Sequence, residues 1–130
     1  MFARRCCLAQ AQILSVSCDP RLLVARHKAL ERAGFEVTSL ANTFEALDVL
    51  ENRRFAAVVV GHSFPFTEKQ LFAADVGERW RIPVIVLHDG NADIQITADR
   101  IQTMEGACEL VATLNASIYY SIYYRQRRLT

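Results

Sequence analysis

No apolar run in this sequence approaches the roughly 18 residues that a membrane-crossing helix requires, so a spanning protein is not expected. Charge of one sign is hardly in excess: 15 Lys and Arg stand against 14 Asp and Glu, a formal net charge of +1. Bulk electrostatics therefore offers no argument for nucleic acid, a membrane surface or an acidic substrate as partner. Cysteine is sparse, and two of the four are adjacent at Cys6-Cys7, which is not the spacing of a disulfide framework. They read as reduced thiols, which places the chain in the cytoplasm. No CxxC or HxxxH spacing occurs, and no internal repeat or low-complexity linker breaks the chain. The start is basic at Arg4-Arg5, but Gln10 and Gln12 interrupt its apolar residues, so no signal peptide is expected. Cys6 or Cys7 beside those arginines offers at most a lipidation position.

What is present is a chain of 130 residues, 52% hydrophobic, long enough for one domain with a substantial core. It is organised around Ala56-Ala57-Val58-Val59-Val60-Gly61-His62-Ser63-Phe64-Pro65. A continuous, β-branched apolar run ended by glycine and a turn reads as a strand buried on both faces of a parallel sheet. Gln12 to Ser17 reads as an earlier strand. Asp19-Pro20 then offers an N-cap and a proline at the first helical position, with a helix to Ala33 stopped by Gly34. Phe35 to Leu40 is a second strand. Asn42-Thr43-Phe44-Glu45 opens a helix to about Asn52 with Phe44, Leu47 and Leu50 facing in. Thr67-Glu68-Lys69-Gln70 reads as a capping box for a third helix to about Arg79, with Trp80 packing at its end, and Ile82 to Leu87 as another buried strand. A short strand is expected around Arg100 to Gln102 and a last helix from about Glu105–Ala107 through Ile118. His27, between Arg26 and Lys28, is expected on a solvated face. Strand and helix alternate with short connections, which implies an α/β fold with helices on both faces of a parallel sheet.

At this point the chain resembles the receiver domain of two-component response regulators, over roughly residues 12–118. The pieces that carry the resemblance are Ile13-Leu14-Ser15-Val16 with Asp19-Pro20, Leu30-Glu31-Arg32-Ala33-Gly34-Phe35-Glu36-Val37, Ala41 with Glu45-Ala46-Leu47 and Leu50, Val58-Val59-Val60 with Pro65, and Ile82-Pro83-Val84-Ile85-Val86-Leu87. The resemblance implies a single doubly wound domain, a five-stranded parallel sheet of order 2-1-3-4-5. The fourth helix, over Asp89 to Ala98, would be shortened or lost. Residues 1–11 would form an N-terminal extension and residues 119–130 a C-terminal helix extension with a basic tail. Family chemistry is an aspartyl phosphate made and hydrolysed beside magnesium, which needs an acidic pair, an acceptor aspartate, a hydroxyl residue and a lysine. Here the acidic pair falls on Ser17 and Cys18, the acceptor on Gly61, the hydroxyl on His88 and the lysine near Thr103. None of the five is of the family's type, so the resemblance implies a degenerate, pseudo-receiver pocket, no enzymatic activity and no cofactor.

Cys18, His88 and Asp89, with Asp19 and His62 near them, form a weak set of zinc or copper donors without supporting spacing. Space filling is the plainer role for Cys18 and His88, and a helix N-cap for Asp19. A Cys–His nucleophile pair lacks a third residue and an oxyanion hole. All four tyrosines lie in Tyr119-Tyr120-Ser121-Ile122-Tyr123-Tyr124, followed by Arg125-Gln126-Arg127-Arg128. Ile118, Tyr119, Ile122 and Tyr123 are therefore the expected interaction surface for a signalling protein partner or a weak homodimer through the last helix. No nucleic acid or membrane partner is expected. The competing readings are a small-ligand or metal sensor using Cys18 and His88, and an anionic tether through the three-arginine tail.

Overall fold

In the computed structural model, residues 11–61, 64–88, 101–105 and 110–129 are described, with backbone alone for 66, 88, 101–105 and 123–129. Within these, strand and helix alternate: β1 (Gln12–Val16), α1 (Pro20–Arg32), β2 (Glu36–Leu40), α2 (Thr43–Asn52), β3 (Ala57–Val60), α3 (Phe66–Trp80), β4 (Val84–His88), β5 (Ile101–Glu105) and α4 (Leu110–Leu129). The five strands pair in parallel in the order β2-β1-β3-β4-β5. The expectation of a short or missing fourth helix falls on 89–100, outside the described residues.

Period-two alternation divides the central strands between two cores. Leu14, Val16, Val58, Val60, Val84 and Val86 pack with Ala46 and Leu50 of α2 and Phe72, Ala73 and Val76 of α3. Ile13, Ala57, Val59, Ile85 and Leu87 face the other way, onto Leu30 of α1 and Leu110, Leu114 and Ile118 of α4. All four residues of β3 are buried, which is why its sequence is a continuous apolar run rather than an alternating one. The crossovers from β1 to β2, β2 to β3 and β3 to β4 are made by α1, α2 and α3, and helices cover both faces.

Local signals account for most of the helix ends. Asp19 caps α1, its Oδ1 accepting from Arg21 N–H at 3.0 Å and Leu22 N–H at 3.4 Å. The helix closes at Ala33, where Gly34 takes φ 100° and Phe35 N–H returns to the Leu30 carbonyl at 3.2 Å. Asn42 caps α2 by accepting from Glu45 N–H at 2.8 Å. Trp80 ends α3 packed on the core, with the Arg79 guanidinium 4.4 Å above its ring.

Several expectations need correction. β1 ends at Val16 and β2 starts at Glu36, one residue inside the expected spans. Phe44 is 84% exposed; Ala46 and Leu50 make the buried stripe of α2, because Phe44 sits in the first turn and off that stripe. The third helix starts at Phe66, not at a Thr67 box: Lys69 N–H bonds the Pro65 carbonyl at 3.0 Å, and no side chain caps this end. β5, described over Ile101–Glu105, runs past the expected end at Gln102, and residues 106–109, before α4 is described, lie outside the described residues. His27 is half-buried between elements, with Nδ1 2.7 Å from Ser39 Oγ and Nε2 3.2 Å from Glu31 Oε2.

Candidate functional site: the carboxyl ends of the strands

In open α/β sheets, binding groups gather just beyond the carboxyl ends of the central strands. Here those ends are Ser17 after β1, Gly61 after β3 and His88 at the end of β4. Ser17 is fully buried, its N–H bonded to the Leu40 carbonyl at 3.1 Å, and its Oγ accepts from Asp19 N–H at 3.3 Å. Gly61 N–H bonds the Val16 carbonyl at 2.8 Å, which draws the end of β3 against β1. A Cβ on Gly61 would stand 2.9 Å from Ser17 Oγ, 3.0 Å from Ser17 Cβ and 3.4 Å from Arg26 Nη1. The glycine is thus required by close approach: Ser17 occupies the volume in which a side chain at 61 would begin.

Arg26 is the residue that sequence reasoning missed. It is 7% exposed, and its Nε and Nη1 are buried without a hydrogen-bond partner. No carboxylate lies within ion-pair distance of it among the described residues. Burial pulls this guanidinium below its ordinary pKa, with the Asp19 carboxylate acting weakly in the other direction. Each unmade hydrogen bond of a buried donor costs about 1–3 kcal/mol, and more for a charged group. The spacing contained a signal: Arg26 stands four residues before Leu30 and four after Leu22, on the inward stripe of α1.

A second buried cation comes from the opposite face. Lys69 of α3 is 3% exposed and donates from Nζ to the Leu87 carbonyl at 3.1 Å. Leu87 follows Val86, the partner of Val60 in β3, so this ammonium reaches the strand end beside Gly61. Its inward position was legible as well, because Lys69 precedes Phe72, Ala73 and Val76 at helical spacing.

Of the other expected site residues, only some are described. Cys18 is exposed and Asp19 is the N-cap of α1. Thr103 pairs with Val86 inside β5, and the residue opposite His88 at the strand end is Glu105. His62 and Asp89, and the side chains of His88, Thr103 and Tyr123, lie outside the description. No group of three or more His, Cys, Asp or Glu able to hold a metal occurs among the described residues. The magnesium ion that this fold implies does not fit these residues. Ser17 and Cys18 offer a hydroxyl and a thiol, not the hard carboxylates that magnesium takes, and the Arg26 guanidinium approaches Gly61.

At the opposite pole, a groove of about 630 Å³ lies beneath β3 and β4, lined by Arg53, Arg54, Phe55, Arg79, Trp80 and Ile122 among others. Its arginines are surface groups: Arg79 pairs with Glu51 at 3.2 Å and Asp75 at 3.4 Å, and Arg53 lies 4.9 Å over Phe55. α4 runs unbroken past Ile118 to Leu129. Ile118 itself is 3% exposed and belongs to the core, which removes it from the expected interaction surface. Tyr119, Tyr120 and Ile122 are exposed.

No protein-family model and no curated protein matches the sequence. Solved structures do resemble it. The signal receiver domain of an HD domain-containing protein from Pseudomonas fluorescens superposes with a TM-score of 0.77 at 18% identity, covering 92% of this chain and 94% of that one. A response regulator receiver protein from Sinorhizobium medicae gives 0.72 at 18% identity, over 86% and 97%. The receiver domain of a sensor histidine kinase from Pseudomonas aeruginosa, with magnesium coordinated in its active-site cleft, gives 0.71 at 19% identity, over 84% and 98%. The chain therefore has the receiver fold that these two-component signalling domains share. No helix among the described residues is long and apolar enough to cross a membrane.

Proposed function

We propose that the chain is a pseudo-receiver of two-component signal transduction, acting in the cytoplasm by contact with a signalling protein, without phosphotransfer and without catalysis. One observation carries the reading: in a receiver fold, the position at the end of β3 is a glycine closed over by Ser17. Glycine has no atom to accept a phosphoryl group, and the neighbouring guanidinium replaces the magnesium-binding environment with a cation. The long α4 supports contact as the mode of action, since Tyr119, Tyr120 and Ile122 present apolar area to solvent. Tyrosine suits such a surface because it offers area at little rotamer cost and keeps a polar tip.

Two measurements test this reading. Incubation with acetyl phosphate and magnesium is expected to leave the intact mass unchanged; a base-labile gain of one phosphate overturns it. The paired substitution Tyr119→Ser with Ile122→Ser spares the buried Ile118. It is expected to weaken partner capture or self-association at least about tenfold, the worth of one well-buried aromatic or aliphatic anchor. Unchanged association in that variant overturns the assignment of the surface.

A further inference from the structure

We infer that the carboxyl end of β1 and β3 is a binding site for a small oxyanion, a phosphate-, sulfate- or carboxylate-type group, held by Arg26. The inference goes beyond the proposed function and stands whether or not the chain works through a protein partner. It also differs in kind from phosphoryl chemistry on a side chain, because it needs neither a metal nor an acceptor residue.

The first support is the state of Arg26. The residue is 7% exposed, and its Nε and Nη1 are buried without a hydrogen-bond partner. Arginine keeps its charge inside proteins, so the group cannot relieve its isolation by losing a proton. Buried charges are found paired or hydrogen-bonded, and the nearest described carboxylate, Asp19, is beyond ion-pair distance and already accepts from two backbone N–H groups of α1. A donor set of this kind is completed by an anion.

The second support is placement. Nη1 is aimed at the end of β3, 3.4 Å from the point at which a side chain of residue 61 would begin. Glycine at that position leaves no carboxylate of the chain's own to meet the guanidinium. Buried Ser17 lies on the same side, its Oγ 2.9 Å from that same point. The third support is the second buried cation. Lys69 ends at the Leu87 carbonyl, one residue beyond the Val60–Val86 pair, so that two elements from opposite faces of the sheet bring positive groups to adjacent strand ends. Guanidinium and ammonium favour oxyanions, whose lone pairs take several charge-assisted hydrogen bonds at once. Chloride offers no such directional set.

The test titrates the full chain with inorganic phosphate, with sulfate and with acetate, against sodium chloride at matched ionic strength. The readouts are the melting temperature and the backbone amide NMR shifts. At least one oxyanion is expected to raise the melting temperature saturably above the chloride control, and to shift the amides of Ser17, Asp19 and Gly61 more than those of Arg54 and Arg79. Comparing phosphate and sulfate with acetate separates a phosphoryl-type from a carboxylate-type ligand. Arg26→Met keeps the apolar stem and is expected to bind at least about tenfold more weakly, the worth of one charge-assisted hydrogen bond. No response beyond chloride for all three oxyanions overturns the inference, as does a response retained in Arg26→Met. The NMR readout on the unaltered chain decides the matter even where the variant folds poorly: shifts confined to the arginines of the groove and not to the strand ends also overturn it.

Discussion

The two poles of the sheet hold arginine in opposite ways. Below the amino ends of β3 and β4, Arg79 has a 45% exposed side chain, shares two carboxylates and lies 4.4 Å from the Trp80 ring centroid. Above the carboxyl ends, Arg26 is buried and has no carboxylate partner. Water and screening make the first arrangement nearly indifferent in energy, since exposed ion pairs contribute about 0–1 kcal/mol. The second is costly unless something outside the chain completes it. An unpartnered buried charge is the kind of feature an external group can complete, so the difference between the poles points to the strand ends and away from the groove.

The largest test of this contrast concerns Lys69, the second buried cation. Lys69→Ala removes an apolar stem from between α3 and the sheet and deprives the Leu87 carbonyl of its donor. A loss of about 2–4 kcal/mol in urea unfolding is expected, combining a cavity and a hydrogen bond. Lys69→Met keeps the stem and is expected to lose only about 1–2 kcal/mol. Equal losses in the two variants would show that the ammonium contributes nothing and that Lys69 serves as packing alone.

Next in size is Gly61→Asp. A Cβ there meets Ser17 Oγ and Cβ at 2.9 and 3.0 Å, and Cβ, at the root of a short side chain, cannot swing aside. Destabilisation of about 1–3 kcal/mol is expected, with no phosphorylation gained. Ser17→Gly removes both obstructing atoms. In that background the introduced side chain would begin, at its Cβ, 3.4 Å from Arg26 Nη1, and its carboxylate would supply the charge Arg26 lacks. The double variant is therefore expected to recover at least about 1 kcal/mol relative to the sum of the single changes, measured as a double-mutant cycle. Strict additivity would mean that neither the steric account of Ser17 nor the electrostatic account of Arg26 is right.

These tests turn on residues of unequal visibility. The β3 run Ala57 to Val60, the Asp19-Pro20 cap and the Gly34 stop report short-range physics, and each is legible in a few adjacent letters. The strand order followed from resemblance to receivers, and the structure reproduces it. Phe44 misled because a phenylalanine in the first turn counts towards a hydrophobic stripe whether or not the sheet extends beneath it. Arg26 stood beside His27 on a face expected to be solvated, and Lys69 was counted only within a capping box. Both occupy inward stripe positions, at spacing from Leu30 and from Phe72 that marks them as buried once charge is set aside. The absence of a carboxylate at Gly61 was plain in the sequence. That an arginine from α1 approaches the same place was not, because the contact spans 35 positions and depends on how α1 packs against β3.

The smallest expected effect is also the one that separates the poles most directly. Arg79→Ala removes two exposed ion pairs and one stacking contact with Trp80, for an expected loss of less than about 1 kcal/mol. In 1 M salt the Debye length falls to about 3 Å, and the ion-pair part of that loss is expected to vanish, leaving the stacking. Arg26→Met acts in the other sense. It replaces an orphaned buried charge by an apolar chain of similar length, so in oxyanion-free buffer stability is expected to be unchanged or higher by up to about 2 kcal/mol. That change is expected to be less sensitive to chloride, because a buried charge is screened much less than an exposed one. Unfolding curves of the two variants in chloride at low and high ionic strength make the comparison. If Arg26→Met instead loses stability in step with Arg79→Ala and shares its salt dependence, Arg26 is an ordinary surface cation, and the contrast between the two poles disappears.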